Sequence, residues 1–177
     1  MRNSYETRAQ KFIQQIASYI KDCEDYYDLE YAILNFMMDN PRRKISVSHG
    51  MARMVLITSD YVIKMNYNQD WVNSVGGGEE EVKFYSIAEK EGMEYLFAKV
   101  SRYVYNGRAY YIMPRVRGIR PDNWRDAYSY MTWEEENWCR KHQLYDLHAM
   151  NYGFRNGHVC IFDYACSDGN SESDTEE

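Results

Sequence analysis

The sequence predicts an α+β fold: a small lobe built from an antiparallel sheet with one main helix, followed by a reduced, mainly helical second lobe. Three observations predict it. The first forty residues carry apolar side chains at helical spacing. Residues 44–66 then switch to short β-rich runs. Two later helical stretches, about 79–90 and 133–144, alternate with strand pairs closed by Asn-Gly. Strands joined by tight turns pair antiparallel, because a parallel pair needs a long crossover.

The elements follow in order. Phe12, Ile13, Ile16, Ala17 and Ile20 mark the first helix, and Asn3 with Glu6 resembles a capping box. A second apolar stretch, Tyr31 to Met38, stops before Pro41, which disfavours helix at the residue preceding it. Three strands follow, about Lys44–Ser48, Met54–Thr58 and Tyr61–Asn66, with Ser59-Asp60 as the turn between the last two. Gly76, Gly77 and Gly78 precede a helix from Glu79 to Lys90, whose acidic first turn suits the helix dipole. Strands at about Leu96–Tyr105 and Arg108–Met113 flank Asn106-Gly107. Pro114 and Gly118 mark a connector, and Thr132 with Glu135 forms a capping box for a helix of about Trp133 to Leu144. A last hairpin turns at Asn156-Gly157 and ends with Val159–Phe162.

This organisation divides the chain into a helical extension (1–40), a compact domain (41–166) and an acidic tail (167–177). Within the domain the small lobe covers about 41–113 and the second lobe about 114–166. An apolar fraction of 45% and 18 tyrosines supply ample core material. Net charge is −6, but the tail "SDGNSESDTEE" carries five of the acids, so the body has no basic bias toward nucleic acid or anionic membrane. No apolar run approaches membrane-spanning length and "MRNSYETRAQ" lacks a signal-peptide core, so the expected location is cytoplasmic. Cys23, Cys139, Cys160 and Cys166 lack the paired spacing of a zinc site and read as free thiols.

Polar chemistry concentrates in "YDLHAMNYGFRNGHVCIFDY", Tyr145 to Tyr164. Asp146 and Asn151 share one loop, and a hairpin starting there brings Asp163 back toward Asn151. An Asn carbonyl and an Asp carboxylate are hard oxygen donors of the kind Mg²⁺ prefers. Asp146 would then be a nearby carboxylate able to orient a hydroxyl and accept its proton. Taken singly, Lys64 reads as a solvent-facing strand lysine, and Asp146 and Asn151 as turn-capping residues. His148 reads as a structural hydrogen-bonding group and His49 as a loop residue.

Together the pieces resemble the protein-kinase-like fold. Asp146-Leu147-His148-Ala149-Met150-Asn151 is similar to the catalytic loop of aminoglycoside-phosphotransferase relatives, H-G-D-L-H-x-x-N. It resembles particularly the D-L/M-H-x-x-N of compact bacteriophage kinase-like proteins. Asp163-Tyr164-Ala165 stands where the family has D-F-G. "YVIKMN" looks like the third small-lobe strand, and "YYIMPRVRG" like the fifth strand running into the hinge. The resemblance spans about Ile45 to Cys166 and implies ATP and Mg²⁺ as cofactors. It implies that Lys64 grips the α- and β-phosphates and that a helix glutamate positions it: Glu81 by choice, with Glu79 and Glu80 left open. It further implies that Asn151 and Asp163 hold Mg²⁺, that Asp146 is catalytic, and that backbone from Met113 to Val116 holds adenine. Ser48 and Gly50, helped by Arg53, would cover the phosphates. The chain departs from the family in a loop with only Gly50, in Leu144-Tyr145 before Asp146, and in Ala165. Two functions fit: a phosphotransferase acting on protein hydroxyls, or a pseudokinase-type binding protein, possibly phage-encoded, that engages a host or partner protein.

Overall fold

The structure is a computed structural model and describes residues 4–50, 53–67, 77–118 and 125–164. The acidic tail, Cys166, Ala165, Gly76, Met51 and Ala52 lie outside the described residues. The chain is α+β, with four α-helices and two antiparallel sheets among the described residues.

Two helices open the chain. Helix α1 spans Tyr5–Ile20 and α2 spans Tyr26–Asp39. Ser4 caps α1, its hydroxyl accepting from Thr7 N, while Asn3 lies outside the described residues. Helix α2 starts five residues before the apolar run, because the Asp25 carboxylate accepts from Asp28 N at 2.9 Å and satisfies an otherwise unpaired first-turn amide. The two helices lie against one face of a five-stranded sheet, in the order β1-β2-β3-β5-β4. Its strands are β1 (Ser46–His49), β2 (Arg53–Ile57), β3 (Tyr61–Asn66), β4 (Ser101–Tyr105) and β5 (Arg108–Pro114). Strand periodicity sorts the side chains. Met54, Leu56, Ile63, Met65, Tyr110 and Ile112 point to the α1/α2 side and form one core with Phe12, Ile13, Leu29 and Phe36. Their neighbours Val62, Lys64, Tyr111 and Met113 point the other way, toward helix α3 (Gly78–Lys90) and a cleft.

The predicted strand from Leu96 does not form until Ser101. Glu94–Leu96 is a 3-10 turn, and Phe97 makes an isolated parallel bridge to Ile161. Leu96, Phe97 and Ala98 are all buried in succession, which a strand with one solvent-facing side does not allow. They plug a second core instead, with Ala88, Trp138, Cys139, Leu147, Val159 and Ile161. Helix α4 (Trp133–Lys141) has the expected Thr132/Glu135 capping box. It stops three residues early, because Gln143 takes φ 58° and turns the chain away.

The connector after Pro114 contains a short strand, β6 (Arg117–Gly118), which the sequence did not reveal. It pairs with β7 (Tyr152–Arg155), which pairs with β8 (His158–Ile161). Gly153 permits this: a Cβ there would lie 2.1 Å from the Arg117 carbonyl oxygen. The Asn156-Gly157 turn takes φ 55° and 84°, the left-handed pair that a two-residue hairpin requires.

Candidate active site

The site starts from a buried lysine. Strand alternation turns Lys64 away from the helices and toward α3, leaving it only 4% exposed. A buried ammonium is stable only if it is paired. Its Nζ donates to Glu81 Oε1 at 2.6 Å, to the Phe162 carbonyl at 2.8 Å and to Asp163 Oδ1 at 3.3 Å. Successive residues of a helix point about 100° apart, so the three first-turn glutamates of α3 have different neighbours. Glu81 is fully buried against Lys64. Glu79 pairs with Arg102 and accepts from the Tyr111 hydroxyl at 3.1 Å. The reach of Glu81 depends on Gly78, one turn earlier, where a Cβ would meet the Tyr111 ring at 2.2–2.4 Å. Only hydrogen at that position lets the start of α3 lie so close to the sheet.

Arg53 completes the cluster. It opens β2, shares the cleft-facing alternation of Val55, and is 8% exposed. Its Nη1 lies 3.0 Å from Glu81 Oε1 and its Nη2 donates to Asp163 Oδ1 at 2.8 Å. Two cations thus face two carboxylates. Burial works against the Asp163 carboxylate, yet Lys64 and Arg53 outweigh it and hold its pKa below the ordinary value. Burial likewise works against Arg53, and Glu81 and Asp163 hold its pKa above the ordinary value. The sequence had suggested Arg53 only as a helper over the phosphates. The period-2 pattern of "RMVLI" was the signal that it faces inward.

The loop carrying Asp146 is tied to the same point. The Asn151 carbonyl accepts from Phe162 N at 2.9 Å and from Asp163 N at 3.3 Å. The Asn151 side-chain amide donates to the Asp146 carbonyl at 2.8 Å. Asp146, Asn151 and Asp163 are therefore linked through two backbone carbonyls. His148 Nε2 lies 3.3 Å from Asp146 Oδ1, and its Nδ1 accepts from Met150 N at 3.1 Å, so His148 braces the loop. Leu144 and Tyr145 bring no histidine or arginine brace. The Tyr128 hydroxyl donates to the Leu144 carbonyl instead, and Ala127 N donates to the Leu147 carbonyl at 2.9 Å.

A cleft of about 340 Å³ opens over this cluster. Val55, Val62, Met113 and Val116 give it apolar walls, while Ser48, Lys64 and Asp163 bring polar groups. Gly50 stands apart, at the tip of the β1–β2 hairpin, where its N–H donates to the Arg53 carbonyl and its own carbonyl accepts from the Tyr67 hydroxyl. Of the predicted site residues, Gly50, Glu81, Asp146 and Asn151 do not line the cleft among the described residues; Glu81 and Asn151 are buried behind it, and the Asp146 side chain is 47% exposed.

The donors suit one kind of metal. No cluster of three or more His, Cys, Asp or Glu able to hold an ion occurs among the described residues. Mg²⁺ needs no such cage, since it keeps several waters and takes one or two carboxylates plus phosphate oxygens. The Asn151 amide nitrogen is committed to Asp146, which leaves its Oδ1 as the acceptor, and Asp163 presents a carboxylate that is 41% exposed. Both residues fit.

No known protein family matches the sequence, and neither does any curated protein. Among solved structures, four chains match. One is the phosphotransferase APH(2″)-IIa in its ternary complex with streptomycin and ATP, at 14% identity and a TM-score of 0.42, with 75% of this chain and 69% of that chain covered. No helix of the described residues is long and apolar enough to cross a membrane.

Proposed function

We propose that the chain is a phosphotransferase of the protein-kinase-like type that uses ATP and Mg²⁺ and acts on hydroxyl groups of a protein in the cytoplasm. One observation carries the reading: Lys64, held by Glu81 at 2.6 Å, lines a cleft beside Asp163, which it meets at 3.3 Å. A cation fixed in this way is preorganised for phosphate oxygens, because the order of its side chain is already imposed by the fold. Met113 to Val116 would hold adenine at the C-terminal end of β5, with Val55 and Val62 against one of its faces. Asn151 and Asp163 would hold Mg²⁺. When bound, the ion supplies charge neutralisation between the phosphates. Asp146, kept oriented by His148, would align the acceptor hydroxyl and take its proton.

The test is the melting-temperature shift with ATP, with and without Mg²⁺, for the wild type and Lys64→Met, followed by transfer from labelled ATP to proteins of a lysate. A ligand at 100 times its dissociation constant stabilises by about 2.7 kcal/mol. No shift at millimolar ATP in folded protein removes the nucleotide site.

A second reading rests on Gly50. The hairpin that should close over the phosphates has its one glycine fastened to Tyr67, outside the cleft lining. This favours a protein that keeps the kinase-like surface to engage a host or partner protein without turnover. A full nucleotide shift with no transfer to any protein, and a biological effect that survives Asp146→Asn, would select it.

A further inference from the structure

Lys64 and Glu81 would suffice as a phosphate-gripping pair, so the second buried cation calls for its own explanation. Arg53 bridges two carboxylates that belong to different elements, Glu81 of α3 and Asp163 beyond β8. Its Nη1 is buried and, although 3.0 Å from Glu81, makes no well-directed hydrogen bond. An arginine at such a position is held by charge more than by directed bonds, and its buried Nη1 has a donor left for a new partner once the cluster rearranges. Asp163 Oδ1 meanwhile receives both Nη2 of Arg53 at 2.8 Å and Nζ of Lys64 at 3.3 Å. The carboxylate that would face a divalent cation is thus countered in advance by the protein's own cations.

Resting on the phosphotransferase reading above, the geometry points to Arg53 as an internal counter-ion that occupies Asp163 until a divalent cation arrives and then serves as the second phosphate-binding cation. The exchange balances charge. The metal ion replaces the guanidinium at Asp163, and the guanidinium, still beside Glu81, meets the negative phosphate that arrives with the metal. No covalent step is involved. Arg53 is the first residue of β2, paired with Asn66 of β3, so the exchange needs only its side chain to swing from Asp163 toward the phosphate while the backbone register, Arg53↔Asn66 to Ile57↔Val62, stays in place. Metal and nucleotide are then coupled, each easing the binding of the other, as linkage requires.

R53Q separates the two roles, because the competing charge and the phosphate donor are lost together. Two measurements should move in opposite directions. Binding of Mn²⁺ without nucleotide, followed by its paramagnetic resonance signal, should tighten by roughly tenfold or more, since a unit charge beside the ion has been removed. Binding of ATP at saturating Mg²⁺, followed by calorimetry, should weaken by roughly tenfold, since one of two phosphate cations is gone. R53K retains the charge but lacks the fork that spans two carboxylates, and should fall between wild type and R53Q in both assays. It decides the matter if R53Q fails to fold, and R53K values equal to wild type in both assays overturn the proposal. Mn²⁺ affinity that is unchanged or weaker in folded R53Q also overturns it, because Arg53 is then only a structural tie. A wild-type protein that binds no ATP removes the phosphotransferase reading, while the Mn²⁺ comparison still decides whether Arg53 competes for Asp163.

Discussion

Gly78→Ala adds one methyl group at the point where α3 meets the sheet, and the structure sets the consequence. The new Cβ would lie 2.2, 2.3 and 2.4 Å from three atoms of the Tyr111 ring. Carbon atoms prefer about 3.5–4.0 Å, so the helix start or the ring must move by more than about an ångström. The ring is poorly placed to yield: Tyr111 is fully buried and its hydroxyl is tied to Glu79. Overpacking of this kind costs about 1–3 kcal/mol. Alanine's better helix propensity returns at most about 1 kcal/mol, and less at a first-turn position. The expected net loss is therefore about 1–2 kcal/mol, read as a lower urea midpoint with an unchanged slope. The shift also moves Glu81, one turn along, away from its 2.6 Å contact with Lys64, so the ATP-induced rise in melting temperature should shrink as well. In a Tyr111→Leu background the same substitution should cost at least about 1 kcal/mol less, because the clashing ring is gone. A Gly78→Ala protein as stable as wild type, with an undiminished ATP response, would refute the claim that this close approach sets the Lys64–Glu81 geometry.

Three further outcomes follow from the same geometry. Asp146→Asn should lower phosphate transfer by about 10²–10⁴-fold in single-turnover assays and leave ATP affinity unchanged, because Asp146 stands outside the cleft lining. Asp163 has a depressed pKa in the folded state, so its pairing stabilises the fold above the unfolded carboxylate pKa of about 3.9 and is lost as pH falls through the lower folded value. Acid melts of Asp163→Asn should accordingly lose stability less steeply than wild type below about pH 4. Burial pushes the Cys139 thiol up to about 12 and raises that of Cys160, so neither should react with iodoacetamide in native protein at pH 8, and rapid alkylation of Cys139 would show that the second core opens.

Much of the small lobe was legible because its signals are local. Strand alternation in "YVIKMN" fixed β3 to the residue, and Asn-Gly fixed two hairpin turns through their positive φ angles. The run from Leu96 to Val100 misled because hydrophobicity reports burial and not partner. Phe97 and Ala98 are buried by β8, more than sixty residues away, and no local pattern shows that. Strand β6 was illegible for a similar reason, since two residues carry no periodicity and their pairing depends on Gly153. In the site, Asp146, Asn151 and Asp163 could be picked out by residue type and spacing, and the structure links them through backbone carbonyls. The two-carboxylate bridge of Arg53 was beyond local reading, because its partners lie 28 and 110 residues along the chain.

The contact of Phe97 and Ala98 with β8 has a mechanical meaning. The sheet and the second lobe are joined covalently through residues 114–117 at one side of the cleft. They are joined again where Ala98 N donates to the Ile161 carbonyl at 2.7 Å and the Tyr164 hydroxyl donates to the Ala98 carbonyl at 3.0 Å. A body fixed to another at one point can swivel in any direction, whereas two separated points leave a single line about which it can turn. Opening of the cleft can become a rocking motion about the line from Arg115 to Ala98 only once the ties of Lys64 and Arg53 to Phe162 and Asp163 let go, so those ion pairs act as the latch on a hinge that the two outer points define.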